Sequence, residues 1–145
     1  MIANDCECFA NGRINMEDKV IYRELSYTLT GILFKVHSEL GNRYHERYYE
    51  RAVALALRKA GVSFKEQVEV PLKYEGEKIG KYRLDFIVDD KIVLELKAEP
   101  RIGRAHITQV LAYLKANQMK LGIIANFRTE QLTFRRIINS DLNHL

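Results

Sequence analysis

Between Tyr82 and Ala98 the chain reads YRLDFIVDDKIVLELKA, two apolar runs separated by the charged triplet Asp89-Asp90-Lys91. Each run has a period of two, the spacing of a strand, so the segment predicts a hairpin. In the first run Tyr82, Leu84, Phe86 and Val88 fall on one face, with Arg83, Asp85 and Ile87 on the other. In the second, Ile92, Leu94, Leu96 and Ala98 share a face and Val93, Glu95 and Lys97 lie opposite. A two-residue loop would set each apolar row against a polar one, whereas a three-residue loop pairs Val88 with Ile92, Phe86 with Leu94 and Leu84 with Leu96. That register puts Asp85 directly across from Glu95, with Cβ atoms about 4.5–5.5 Å apart. Such a loop favours Gly or Asn at a left-handed position, and the triplet supplies neither.

Two like charges across a ladder repel, so a partly buried pair needs a shared proton or a cation. A divalent metal answers this economically, because Mg²⁺ takes oxygen ligands and commonly uses one or two carboxylates plus water and phosphate oxygens. Lys97, on the same face as Glu95, is placed to orient a hydroxide or to neutralise charge on a phosphate, so the three residues suit phosphodiester hydrolysis. The plainer reading is a solvated sheet face on which Asp85 and Glu95 pair with Arg83 and Lys97. Apolar flanks on both sides of each acid argue against it, since charges in a buried strand need a reason.

The rest of the chain supplies layers for this hairpin. Leu25, Leu29, Ile32, Leu33, Val36 and Leu40 recur at three and four, predicting a helix from about Asp18 to Leu40 that stops at Gly41-Asn42. A second helix is expected over Tyr44 to Ala60, its stripe formed by Tyr49, Ala52, Val53, Ala56, Leu57 and Ala60, with Gly61 as terminator. Glu46 falls on the inward side of that helix and so offers a third carboxylate, although a first-turn acid favoured by the helix dipole explains it equally. Strands are expected over 62–74, 81–88 and 92–98, a third helix over Gly103 to Asn117, and a buried strand in LGIIANF. The segment LTFRRI reads as an edge strand or a short helix. This order implies an α/β (α+β mixed) fold, a mixed sheet flanked by helices.

With 145 residues, 47% of them hydrophobic, the chain is expected to form one domain over 16–145 behind a loose extension at 1–15. The net charge of +4 permits a polyanion partner without requiring one. Cys6 and Cys8 form neither a disulfide framework nor a zinc pattern, and with no membrane span or secretory signal the expected compartment is the cytoplasm. There is no G-x-S-x-G elbow, P-loop, dinucleotide fingerprint or H-E-x-x-H. His37, His45, His106 and His144 are scattered and read as surface or helix-flank residues rather than ligands; His106 is set apart by its nearness to Gln109.

Together these residues resemble the PD-(D/E)XK nuclease superfamily, whose restriction-endonuclease-like core carries an Asp on one strand and an E-x-K on the next. More narrowly, GNRYHERYYE, YRLDFIV, IVLELKA and QVLAYLK resemble the GxxExxY family over about Lys19 to Phe127. Arg43 stands where that motif has its glycine; Glu46 and Tyr49 are kept, and Gly41 lies two residues earlier. The resemblance implies Asp85 and Glu95 as metal ligands with the Leu96 carbonyl, Lys97 as the catalytic lysine, Glu46 as the helix-borne acid, and Gln109 with Tyr113 as an accessory Q-x3-Y pair. With the three inward acids, Lys97 and the positive net charge, the first expectation is a Mg²⁺- or Mn²⁺-dependent nuclease acting on DNA, with Arg43, Arg47, Arg51, Arg101, Arg104 and Arg128 available to phosphates. Folds of this kind often gain specificity from a homo-oligomer or a protein partner. The alternative expectation is a non-catalytic nucleic-acid-binding or protein-interaction module that retains the fold.

Overall fold

The three-and-four spacing of apolar residues gives helix α1, Arg23–Leu40, in a computed structural model that describes residues 21–142. Its start falls later than Asp18 because Tyr22 takes a left-handed conformation (φ +48°), which a continuous helix does not admit. Residues 18–20, the extension at 1–15, both cysteines and His144 lie outside the described residues. Gly41 ends α1 at φ +78°, donating its N–H to the His37 carbonyl, so the glycine serves as the C-terminal stop. Helix α2, Glu46–Lys59, follows an extended His45 and buries Tyr49, Val53, Ala54 and Leu57.

Five strands form one sheet in sequence order: β1 (Phe64–Tyr74), β2 (Glu77–Val88), β3 (Ile92–Lys97), β4 (Leu121–Asn126) and β5 (Thr133–Ile138). All neighbours are antiparallel except β3 and β4, which run parallel and are joined through helix α3, Arg104–Ala116. The segment LTFRRI is therefore strand, on the edge opposite β1. Helices α1 and α2 pack on one face against Phe86, Val88, Ile92, Leu94 and Leu96, while Leu84, Ile87, Val93, Val110 and Leu114 cluster on the other, where α3 lies. Gly122 allows α3 to come close, since a Cβ there would meet Val110 Cγ1 at 2.6 Å.

The β2–β3 register matches the expected one at Val88 opposite Ile92 and Phe86 opposite Leu94, but the expected third pair, Leu84 with Leu96, does not form: the ladder ends at Phe86 and the two leucines lie in opposite core clusters. The three-residue turn forms without Gly or Asn: Asp89 and Asp90 both sit at φ +53°, and Lys91 N–H closes it on the Val88 carbonyl at 2.9 Å. Aspartate is among the few side chains that tolerate this region, and Ser63 Oγ donates to Asp89 Oδ1 at 3.2 Å.

One expectation fails in an informative way. Leu84 and Phe86 do not share a face: Leu84 packs in the α3-side cluster and Phe86 in the α1/α2 cluster. The β1–β2 ladder runs through Glu66↔Phe86 and Val68↔Leu84 but has no pair at Gln67 and Asp85. Gln67 is left-handed there, at φ +50°. Strict alternation would carry Asp85 to the α3 side with Ile87; the kink turns it instead toward α2.

Candidate active site

At Asp85 the β2–β3 ladder also stops, and side chains replace it. The Asp85 N–H donates to Glu95 Oε1 at 2.7 Å, and the Leu96 N–H donates to Asp85 Oδ2 at 2.8 Å. Two buried main-chain donors are thus satisfied by carboxylates rather than by carbonyls, which fixes both acids and lets the strands part. Asp85 and Glu95 are each 7% exposed, so they are core residues by position although charged by type.

Helix α2 brings two more carboxylates. Glu46 in its first turn and Glu50 one turn later lie on one side of the helix, both half-buried. Oxygens of Glu46, Glu50 and Asp85 lie within 4.8 Å of one another. Glu50 accepts a hydrogen bond from Gln67 Nε2 at 3.3 Å. Lys97 Nζ stands 3.9 Å from Glu46 Oε1 and 4.0 Å from Glu95 Oε2. Among the described residues one ammonium therefore acts on four carboxyl groups, Glu46 and Glu95 within 4.0 Å and Glu50 and Asp85 through its charge.

The electrostatics follow from that imbalance. Burial pushes the Glu95 carboxyl up to about 8, with the charge of Asp85 adding to the rise. Burial likewise raises Glu50 to about 8, reinforced by the charge and hydrogen bond of Asp85. Glu46 and Asp85 are also raised, in both cases mainly by burial, against the opposing pull of Lys97. Protons or a cation must neutralise the excess. The donors are all carboxylate oxygens, three of them close enough to share one ion, and that hard set fits Mg²⁺ or Mn²⁺.

The residues singled out from the sequence divide into two groups. Asp85, Glu95, Lys97 and Glu46 come together, and the Leu96 backbone joins them through its N–H. Gln109 and Tyr113 are half-buried on α3, and among the described residues no hydrogen bond links their side chains to the carboxylates. Tyr113 and Tyr82 are both partly buried against the α3-side core cluster, and burial, then the charges of Tyr113 and Glu95, raise the Tyr82 hydroxyl. His106 pairs with Glu99 at 3.3 Å. His37 is not a surface residue: it is 8% exposed, with Nε2 at 3.0 Å from the Thr129 carbonyl.

Three contributors escape sequence reasoning. Glu50 follows Glu46 by one turn, and that spacing was the available signal. Gln67 carries no signal, because a left-handed residue within a strand is invisible to alternation. Asn126, 0% exposed at the end of β4, donates from Nδ2 to the Glu99 carbonyl at 2.7 Å and accepts from the Glu99 N–H at 3.1 Å. It ties down the chain just beyond Lys97, opposite which it sits in the parallel register.

The loop before α2 is held by Tyr49, which is fully buried and stacked on Phe127 at 4.4 Å between centroids. Its hydroxyl donates to the Gly41 carbonyl at 2.6 Å and accepts from the Tyr44 N–H at 3.2 Å. Arg43 at the motif's glycine position is exposed, and the left-handed residue of this loop is Gly41 instead.

A mixed sheet with helices on both faces, carrying an Asp and an E-x-K on adjoining strands at the point where they part, defines a restriction-endonuclease-like fold. The family model of the PD-(D/E)XK nuclease superfamily matches residues 23–137, and the chain belongs to that superfamily. No curated protein and no solved structure matches the chain significantly. Among the described residues no helix is long and apolar enough to cross a membrane.

Proposed function

We propose that this protein is a Mg²⁺- or Mn²⁺-dependent nuclease that hydrolyses phosphodiester bonds of DNA. The observation that carries the reading is the convergence of Glu46, Glu50 and Asp85 within 4.8 Å, beside Glu95 and a single lysine. Asp85 and Glu95, with the Leu96 carbonyl, form the strand-borne ligand set, and Glu46 and Glu50 extend it from the helix. A bound divalent cation supplies Lewis acidity toward a phosphate oxygen and lowers the pKa of water.

The chain's own residues do the rest. Main-chain N–H groups of Asp85 and Leu96 lock the two strand acids in place, so little reorganisation is needed when an anion arrives. Lys97, held between Glu46 and Glu95, stabilises negative charge on the attacked phosphate or orients the attacking water. Gln109 and Tyr113 act as accessory groups from α3, a role supported by their half-buried positions on the helix and by the packing of Tyr113 against the cluster that also holds Tyr82.

The test incubates the full chain with labelled single- and double-stranded DNA and RNA, with Mn²⁺ or with chelator. Cleavage of DNA that needs the metal and falls about 100-fold or more in Lys97→Ala is expected, the usual cost of removing one charge-stabilising donor. Binding without turnover would instead support the non-catalytic module. Equal cleavage by Lys97→Ala would end the assignment of that lysine.

A further inference from the structure

We propose that the outer face of the α2 N-terminus docks an unpaired nucleic-acid strand, with Tyr44 and Tyr48 stacking on bases and Arg43, Arg47 and Arg51 contacting phosphates. The proposal rests on the nuclease reading and names the form of substrate that the site receives.

Helix α2 has two distinct faces. Glu46, Tyr49, Glu50 and Val53 turn toward the sheet, whereas Arg47, Tyr48 and Arg51 turn to solvent. At roughly 100° per residue, Arg47 follows Glu46 round the helix and leads from the carboxylates to the outer face without a gap. Tyr44 and Tyr48 are 50% and 38% exposed, large rings left in water beside the site. They meet edge to face at 6.2 Å.

The guanidinium groups of Arg47 and Arg51 lie 4.9 and 5.8 Å from the centroid of the Tyr48 ring, and Arg47 Nη2 donates to the Tyr48 hydroxyl at 3.1 Å. Among the described residues none of Arg43, Arg47 and Arg51 takes part in an ion pair, although the carboxylates of Glu46 and Glu50 belong to the same helix turn. The patch is therefore positive, aromatic and uncommitted to any acid.

Such a surface complements a polyanion whose flat faces are accessible. Aromatic platforms and arginine planes together bind single strands, since every base offers a π-face once it leaves the stack. A duplex would engage the arginines through its phosphates and leave both tyrosines idle.

The test measures fluorescence anisotropy of labelled oligo-dT and of a labelled duplex of equal length, with chelator present so that nothing is cut. The full-length parent, Tyr44→Ala, Tyr48→Ala, Tyr48→Phe and the double variant Arg47→Gln/Arg51→Gln are compared, each checked for folding by circular dichroism. The parent is expected to bind the single strand more tightly than the duplex. Each alanine variant should lose about fivefold or more for the single strand, the lower end of a stacking contribution, while duplex binding is unchanged and Tyr48→Phe retains parental affinity. The arginine double variant should flatten the salt dependence of single-strand binding by a slope of about 1.4. Equal parental affinity for duplex and single strand would overturn the proposal. So would alanine variants that bind like the parent, which would leave the patch to another class of partner. Cleavage is assayed separately with Mn²⁺: ring-dependent binding without cleavage removes the nuclease reading alone, and cleavage with ring-independent binding removes this proposal alone.

Discussion

Gln67 stands opposite Asp85 across the β1–β2 pair in a left-handed conformation, where the ladder between Glu66↔Phe86 and Val68↔Leu84 skips a step. The same residue donates from its side chain to Glu50. One position in an exposed edge strand thus both kinks the sheet, turning Asp85 toward α2, and braces the acid that Asp85 meets there. Strain held by a non-glycine residue at such a place marks a constraint set by the site.

Substitution at Gln67 separates the two roles. Gln67→Gly keeps the left-handed backbone without its steric cost, whereas Gln67→Val resists it, so the glycine variant should be more stable than the valine variant by about 1–2 kcal/mol. Both lose the bond to Glu50 and should bind Mn²⁺ up to about 10-fold more weakly than the parent. Denaturant unfolding and calorimetric metal titration read the two effects independently. Equal stability of the two variants would show that the kink does not depend on this residue.

The raised carboxyls fix a pH dependence. Glu50 and Glu95 titrate near 8 in the fold against an ordinary value of 4.5, so the folded chain holds more protons than the unfolded chain between those limits. Their contribution to stability is complete below about pH 4.5 and is lost as pH rises through about 8. Metal-free protein should therefore melt at a lower temperature at about pH 8.5 than at about pH 6, and Mn²⁺ should protect more at the higher pH, because it competes with those protons. Glu50→Gln should reduce the loss of stability on going alkaline and weaken metal binding. A melting temperature that climbs across this window would contradict the arrangement.

Tyr49→Phe tests the tether before α2. Removing the hydroxyl leaves the Gly41 carbonyl and the Tyr44 N–H without their partner while the ring keeps its stack on Phe127. A loss of about 1–3 kcal/mol is expected, together with weaker cleavage, since Glu46 sits at the end of the loop so released. Denaturation and cleavage rates are the measurements; an unchanged stability would mean that water replaces the hydroxyl at no cost.

Gly122→Ala probes the seat of α3. The added methyl would lie 2.6 Å from Val110 Cγ1, too close to keep, so the Val110 side chain or the helix that carries it must shift. Overpacking of this kind costs about 1–3 kcal/mol. If Gln109 and Tyr113 assist from α3, cleavage should fall by more than the stability loss explains at a temperature where the variant is fully folded.

Much of this protein was legible along the chain. The apolar periods of two and of three-to-four located four of the five strands and the three main helices, leaving LTFRRI as strand or helix, and matching the apolar rows across Asp89-Asp90-Lys91 gave the start of the β2–β3 register and with it the nearness of Asp85 to Glu95. Those properties are local, because side-chain alternation and turn length act over a few residues. The tertiary structure decided what no local rule contains: the left-handed Gln67 that reverses the facing of Asp85 relative to Phe86, the approach of Glu50 to that acid, the clasp of Asn126 beyond Lys97 and the burial of His37. Each depends on which distant segments the packed helices and sheet bring into contact, and a one-dimensional pattern records the faces of an element without recording what those faces will meet.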